Sequence, residues 1–379
     1  MLNNDLMKNK ILIITDYFYP SENGGGAQLA VTNLAKHLSK DHEVKVICRA
    51  HDFNNKLFFD IGLTQKYQNI EIIYFLKIRF LKIILLIRKL KPTQIYFNSF
   101  FSPLTILFLF VMIGEKSRII IAPNGEFYDG ALRYKKIKKS IWYLFFKTVF
   151  AKKFNTFHAT SIDEKEIILK KLPSVNVLIA RCIPFFDFKI RRKNFLSSST
   201  KKIIFISRIS QKKNLEYVID ILTQLKSKVI FEFWGAVDDE KYFQKCITKL
   251  NSCPSNIIWT YKGSFPIGKS FEKFGEADLF IFPTLGENFG FVILESLLSG
   301  CPVILSSGTT PWENLDITGV GYNIPLSNKS EWIQKVESFL SLPVSELERM
   351  RNNCIDFAIE NLELKPIIEE NFIIFFGEK

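Results

Sequence analysis

The sequence predicts an α/β protein of two Rossmann-like, doubly wound domains facing each other across a central cleft. Three observations carry this. Short apolar runs without alternation, such as Lys10 to Ile14, recur along the chain and read as strands covered on both faces. Amphipathic stretches of helical period separate them, giving strand–helix–strand units of parallel type. The pattern lapses once, at Arg191 to Lys202, where charge and a serine run replace periodicity, and then restarts. The expected domains are 1–193 and 194–364, with a C-terminal helix over 365–379 returning to the first. A cleft between two such domains is the natural place for a ligand.

In order, the first half opens with strand Lys10 to Ile14, a glycine-rich turn, helix Gln28 to Leu38 and strand Val44 to Cys48. Strands are expected at Ile70 to Phe75, Gln94 to Phe97, Ile119 to Ile121 and Thr156 to Ala159, and Ser161 opens a helix through about Lys171. After the linker come strand Ile203 to Ile206, helix Leu215 to Leu225, strand Val229 to Trp234 and helix Glu240 to Leu250. Strand Ile257 to Thr260, a short helix near Lys269 to Phe274, and strand Leu279 to Phe282 follow. A helix preceded by Gly290 and a strand Val303 to Leu305 complete the pattern.

The 379 residues suffice for two or three cores, and 47% of them are apolar, which excludes a disordered chain. The net charge of +13 is uneven. Through Lys193 there are 32 Lys and Arg against 15 Asp and Glu, a net +17, and the remainder carries −4. The first half should therefore meet an anionic partner. Six scattered cysteines without a CxxC pair read as reduced thiols of a cytosolic protein, and the four histidines lack metal-ligand spacing. The N-terminus carries no signal-peptide pattern. Thr93 to Gly114 is uncharged over 22 residues and imitates a membrane span. Its Gln94, Asn98, Ser99, Ser102 and Pro103 favour a strand, a turn and a buried helix from Pro103 to Ile113.

Three motifs carry chemistry. Gly24, Gly25 and Gly26 stand between strand one and helix one, where glycine lets a backbone approach a ligand closely. Arg208, at the end of the first strand of the second half, and Lys213 five residues on can neutralise a diphosphate. In Phe282 to Ser306, Glu287 and Glu295 stand eight positions apart, a little over two helical turns, so both can face one side. The free amides at that helix start can hold an anion. Hydroxyl and phosphate recognition together suit a sugar nucleotide.

These residues, with APNGEFYDGAL, FHATSIDEKEI, SRISQKKN and TTPWENL in that order, resemble glycosyltransferase family 4, whose fold is GT-B. The resemblance implies a retaining transferase that takes a hexose-type sugar from a nucleotide diphosphate. It places Arg208 and Lys213 on the diphosphate, Glu287 near the sugar hydroxyls and Glu295 on the ribose. Asn288, Phe289, Gly290 and Phe291 would cradle sugar and phosphate through their amides, and Gly24 to Gly26 would close over the diphosphate. Thr310, Pro311 and Trp312 would line the cleft. Two departures stand out. Asn124 replaces a His or Arg common in the family and can be neither cation nor proton carrier. Asn214 replaces a glycine, and asparagine tolerates left-handed geometry best among the other residues.

No DxD-type metal motif is present, and Asp238-Asp239-Glu240 reads as a helix cap, so no metal and no cofactor is expected. Asn124, Glu126 and Asp129 are the acceptor-side candidates. Arg133 to Phe154 holds eight cations, an aromatic cluster and no acid, and Lys77 to Lys91 is a second basic–apolar stretch. Such segments bind anionic lipid surfaces peripherally. The expected acceptor is therefore a lipid-linked glycan at the inner face of the cell membrane, in assembly of a bacterial surface polysaccharide. No nucleic-acid recognition motif is present. The competing readings are a sugar-nucleotide-binding homologue without turnover and a GT-B-like epimerase.

Overall fold

The structure is a computed structural model that describes residues 9–21, 24–52, 57, 64–75, 80–132, 136–184, 200–264, 270–362 and 364–377. The chain divides into two compact units, Met1–Phe185 with Leu364–Lys379, and Phe186–Glu363.

The first unit contains β1 (Lys10–Ile14), α1 (Gly25–Leu38), β2 (Glu43–Arg49), β3 (Thr64–Tyr67), β4 (Ile70–Phe75), α2 (Phe80–Leu90) and β5 (Gln94–Phe97). It continues through α3 (Pro103–Val111), β6 (Arg118–Ile121), α4 (Asp129–Leu132), α5 (Lys136–Phe145), β7 (Thr156–Ala159), α6 (Ile162–Lys171) and β8 (Asn176–Ile179). The sheet order is β3-β4-β2-β1-β5-β6-β7-β8, parallel except for the antiparallel edge strand β3. Successive β1 residues serve opposite faces: Leu12 and Ile14 enter one core with Phe97 and Phe157, and Ile11 and Ile13 enter the other with Val46 and Tyr96. Both faces are covered, so the strands show no alternation in sequence. Ser102 caps α3 by accepting from the Leu104 amide, with Pro103 at the first helical position, and the Ser161 hydroxyl accepts from Glu164 N at 3.1 Å to open α6.

The second unit contains β9 (Lys201–Ile206), α7 (Leu215–Leu222), β10 (Val229–Trp234), α8 (Glu240–Leu250), β11 (Ile257–Tyr261), α9 (Ser270–Gly275) and β12 (Leu279–Phe282). It ends with α10 (Phe291–Leu298), β13 (Val303–Ser306), β14 (Gly321–Ile324), α11 (Lys329–Leu340) and α12 (Val344–Glu360). Its sheet is wholly parallel in the order β11-β10-β9-β12-β13-β14. That is the doubly wound arrangement, with the order reversing between β9 and β12. Asp239 caps α8 by accepting from Tyr242 N at 3.0 Å, the role expected of the Asp238 to Glu240 run. Helix α13 (Leu364–Phe376) belongs to the first unit. Ile374 and Phe375 enter its core, and Glu370 pairs with Arg181 at 2.7 Å.

Several expectations need correction. The linker was to reach Lys202, but Lys201 and Lys202 already pair with β10, and residues 191–199 lie outside the described residues. Helix α1 begins at Gly25 rather than Gln28, with Gly24 at its N-cap and Gly25 and Gly26 already in the helix. Thr93 to Gly114 is, as expected, β5, a turn and α3, and no helix among the described residues is long and apolar enough to cross a membrane. Arg133 and Lys135 of the basic segment lie outside the described residues, as do Lys77 and Arg79. All six cysteines are free thiols.

Candidate active site

The strand order reverses between the neighbours β9 and β12, and in doubly wound sheets ligands bind outside the C-terminal strand ends at such a point. The chain leaving β9 passes Arg208 and a 3-10 turn over Gln211–Lys213, and then turns into α7 at Asn214, whose φ of 60° is left-handed. The asparagine pattern anticipated that geometry. The loop is stitched to the one leaving β12. Asn214 Nδ2 donates to the Pro283 carbonyl at 3.0 Å, and Leu285 N donates to the Lys212 carbonyl at 2.9 Å.

This stitching brings Lys213 against Glu287. The ammonium and the carboxylate form an ion pair with only 14% and 12% of each side chain exposed. Thr284 Oγ1 donates to the same carboxylate at 3.1 Å, and Glu287 N donates to the Thr309 carbonyl at 2.7 Å. Lys213 Nζ also stands 5.4 Å from the centre of the Phe282 ring. Burial pushes the Glu287 carboxyl up, but the charges of Lys213 and Lys212 and the two hydrogen bonds outweigh it, so the group lies below its ordinary range. It is therefore an anion at neutral pH.

Past Glu287, Gly290 caps α10 with φ 76°, a left-handed conformation that suits glycine. Among the described residues no acceptor is paired with the amides of Asn288, Phe289, Gly290, Phe291 and Val292. They form a row of donors at a helix start, where the dipole favours an anion. Among the described residues the buried Asn288 side-chain oxygen has no partner. Trp312 was expected to line a cleft. It is buried instead, and its Nε1 donates to the Phe289 carbonyl at 2.6 Å, which props the turn.

Glu295 lies in the second turn of α10, and its carboxylate accepts from the Ser270 hydroxyl of α9. Burial pushes it up to about 7, with the Ser270 bond opposing. Contrary to the expectation from sequence, the eight-residue spacing does not set its direction relative to Glu287. Glu287 sits in the loop, and helix begins only at Phe291, so the two-turn argument has too little helix to act on. Arg208 is 40% exposed and pairs with Asp238 at 3.5 Å. Its backbone passes tightly over Gly235, where a Cβ would stand 1.7 Å from the Ser207 carbonyl oxygen.

In the first unit the corresponding reversal lies between β1 and β5. Gly24 N donates to Gln28 Oε1 at 2.8 Å, so that amide is already engaged; Gly25 has φ 70°, and Gly26 is exposed. Asn124, at φ 50°, donates to Asn98 Oδ1 at 2.9 Å, and Asn98 in turn donates to the Ala27 carbonyl at 3.1 Å. Both oxygens of Glu126 are occupied: Ser99 Oγ donates to one at 2.6 Å, and the amides of Phe100 and Phe101 donate to the other at 2.7 and 3.1 Å. Burial raises its carboxyl, and these bonds with Lys139 offset part of the rise. Asp129 opens the short helix α4. Sequence reasoning missed Thr284, Ser270, Asn98 and Glu164. The last accepts from Gly125 N at 2.5 Å and from Thr160 N at 2.9 Å, and it fixes the Asn124 loop. Its one signal was the Ser-x-x-Glu capping spacing from Ser161.

Two doubly wound units, the second wholly parallel, make a fold of the GT-B class. Residues 186–359 match the family described as glycosyl transferases group 1. The structure of Anabaena HepE in complex with UDP-glucose is similar at TM-score 0.70 and 14% identity, covering 96% of this chain and 98% of that chain. WaaG, a glycosyltransferase involved in lipopolysaccharide biosynthesis, is similar at TM-score 0.68 and 13% identity, covering 97% and 100%. The human alpha-1,3/1,6-mannosyltransferase ALG2 is 24% identical over 183 residues, 44% of this chain. The chain matches its curated relatives over 30% and 42% of their own length.

Proposed function

We propose that the chain is a retaining glycosyltransferase that moves a hexose-type sugar from a nucleotide diphosphate to a lipid-linked glycan, in assembly of a bacterial surface polysaccharide. The observation that carries this is the Lys213–Glu287 ion pair beside the open amides of Asn288 to Val292. It lies in a unit that matches glycosyl transferases group 1.

The barrier is departure of the diphosphate as positive charge grows at the sugar carbon. Arg208 leaves Asp238 and, with Lys213, meets the charge that develops on the leaving group. Each such contact contributes about 2 to 4 kcal/mol in the transition state. Glu287, kept anionic, accepts from sugar hydroxyls. Glu295 accepts from the ribose, and the open amides hold phosphate and sugar oxygens. These cations do the work that a divalent metal does elsewhere, so transfer proceeds without one. HepE was solved with UDP-glucose, which makes UDP-sugars the first donors to try.

The acceptor reading rests on charge and exposure. On α5, Ile137, Ile141 and Leu144 are exposed beside Lys136 and Lys138, and α2 exposes Leu81 and Leu85 beside Lys82 and Arg88. Apolar stripes flanked by cations fit an anionic bilayer surface. WaaG, similar over the whole chain, acts in lipopolysaccharide biosynthesis.

A thermal-shift panel over UDP-, GDP- and ADP-sugars tests the donor half. Ligand at a hundred times its Kd adds about 2.7 kcal/mol of stability. A shift with one nucleotide class that disappears in Lys213→Ala supports the reading, and no shift with any of them removes it.

A further inference from the structure

Helix α5 presents three different faces. Trp142 is buried in the core, and Phe146 and Phe150 of the following π turn are buried with it. Ile137, Ile141 and Leu144 are exposed, spaced four and three residues apart, and so form one stripe. Lys136, Lys139, Ser140 and Tyr143, again three, one and three apart, form a third face that looks into a cavity of about 230 Å³. Phe101, Phe127 and Leu132 close its apolar side, and Lys171 joins from the end of α6.

The chemistry of this cavity is amphipathic and one-signed. Among the described residues that line it, three are lysines and none is acidic. Lys139 Nζ donates to the Ala131 carbonyl at 2.6 Å and stands 5.1 Å from the Phe101 ring centre. That places its charge over an aromatic wall. Lys139 also acts on the buried Glu126 carboxylate, whose oxygens accept from Ser99, Phe100 and Phe101. Tyr143 OH donates to the Lys171 carbonyl at 2.6 Å and fixes α5 against α6 at the cavity wall. Lysine ammonium groups over aromatic and aliphatic walls suit a ligand with a phosphate at one end and a hydrocarbon chain at the other. The exposed stripe begins one residue along the same helix, so a chain leaving the cavity continues over Ile137 and Ile141.

We propose that this cavity of the first unit binds the phosphate end of a membrane lipid, with the hydrocarbon chain running out along the exposed stripe of α5. The proposal deepens the acceptor half of the function above and rests on it for the meaning of the site, but it needs no donor chemistry to be tested. Two sources share this chemistry, the lipid phosphate of an isoprenoid-linked acceptor and the headgroup of a bulk phospholipid.

The test titrates the full chain with geranyl phosphate, geraniol, inorganic phosphate and dihexanoyl phosphatidylglycerol by calorimetry. Geranyl phosphate should bind at least ten-fold more tightly than either geraniol or inorganic phosphate. Ser140→Trp, which fills the cavity from an exposed position, should weaken it ten-fold or more. The Lys136→Glu/Lys171→Glu double variant should do the same by charge. Competition by the phosphatidylglycerol would make bulk phospholipid the source, and its failure to compete would make it the isoprenoid phosphate; each is a lipid phosphate in this cavity. Inorganic phosphate binding as tightly as geranyl phosphate would overturn the proposal. So would unchanged affinity in both folded variants. Donor-induced thermal shifts, read on the same samples, should be the same in wild type and variants. Their absence from wild type alongside intact geranyl phosphate binding would sink the transferase reading and leave the cavity standing.

Discussion

The Lys213 ammonium is ion-paired with the Glu287 carboxylate, joining the loops that leave two neighbouring strands, β9 and β12. The pair sits where the strand order reverses, on backbone stitched by Asn214 and Leu285. Its placement follows from topology.

Lys213→Ala should lower kcat/KM by about 30- to 1,000-fold, the loss expected for one electrostatic contact to a leaving group. The fold should survive, because the stitching bonds use the asparagine side chain and backbone atoms rather than the lysine. Steady-state kinetics beside a thermal melt checks both halves.

Arg208 is held by Asp238 in a partly exposed pair. A donor must compete for it. Asp238→Asn should therefore tighten binding of the nucleotide diphosphate, by less than about five-fold given that such pairs contribute about 0.2 to 1 kcal/mol. Calorimetric titration of the two proteins gives the ratio.

Glu295 carries a carboxyl raised to about 7 by burial, so the folded state holds its proton longer than the unfolded chain. Native stability then falls as pH rises from the ordinary value of 4.5 toward 7, where burial of the charge costs most. Glu295→Gln should flatten that decline and gain on the order of 1 to 2 kcal/mol at pH 8, discounted for partial exposure. Donor affinity should move oppositely. It should rise through pH 7 in wild type and be weak and flat in Glu295→Gln. Denaturant melts and donor titrations from pH 5 to 8 separate the two effects.

A Cβ at Gly235 would sit 1.7 Å from the Ser207 carbonyl oxygen, at φ 148°. That neighbour is backbone and cannot rotate away. Gly235→Ala should cost more than about 2 kcal/mol and displace Arg208 with it. A thermal melt with donor titration is the check.

Replacing Ile137, Ile141 and Leu144 by Gln should abolish salt-sensitive binding to anionic liposomes. Stability should change by less than about 0.5 kcal/mol per site, since all three are exposed. Flotation assays and melts give the two readings.

The buried parallel strands were legible because both faces are covered, which leaves continuous apolar runs such as Ile11 to Ile14. The Ser161 cap and the left-handed Asn214 were legible because each has a local cause in one residue's chemistry. Strand β3 was not: its sequence TQKY is polar, and only pairing with β4 makes it a strand. Glu287 and Lys213 could be named from motifs, but their contact depends on two loops 69 residues apart meeting through Asn214 and Pro283. The Glu295 partner, Ser270, comes from a separate helix that no local pattern ties to it.

The most direct measurement is release of free nucleotide diphosphate from a UDP-sugar by wild type and Lys213→Ala, with and without a lipid-linked acceptor and in the presence of EDTA. Acceptor-dependent release by wild type, unaffected by EDTA and reduced at least 30-fold in the variant, is the expected result, on the scale of about 2 kcal/mol for one lost contact. Equal release by the two folded proteins would contradict the account, because the ion pair at the strand reversal would then play no part in the chemistry.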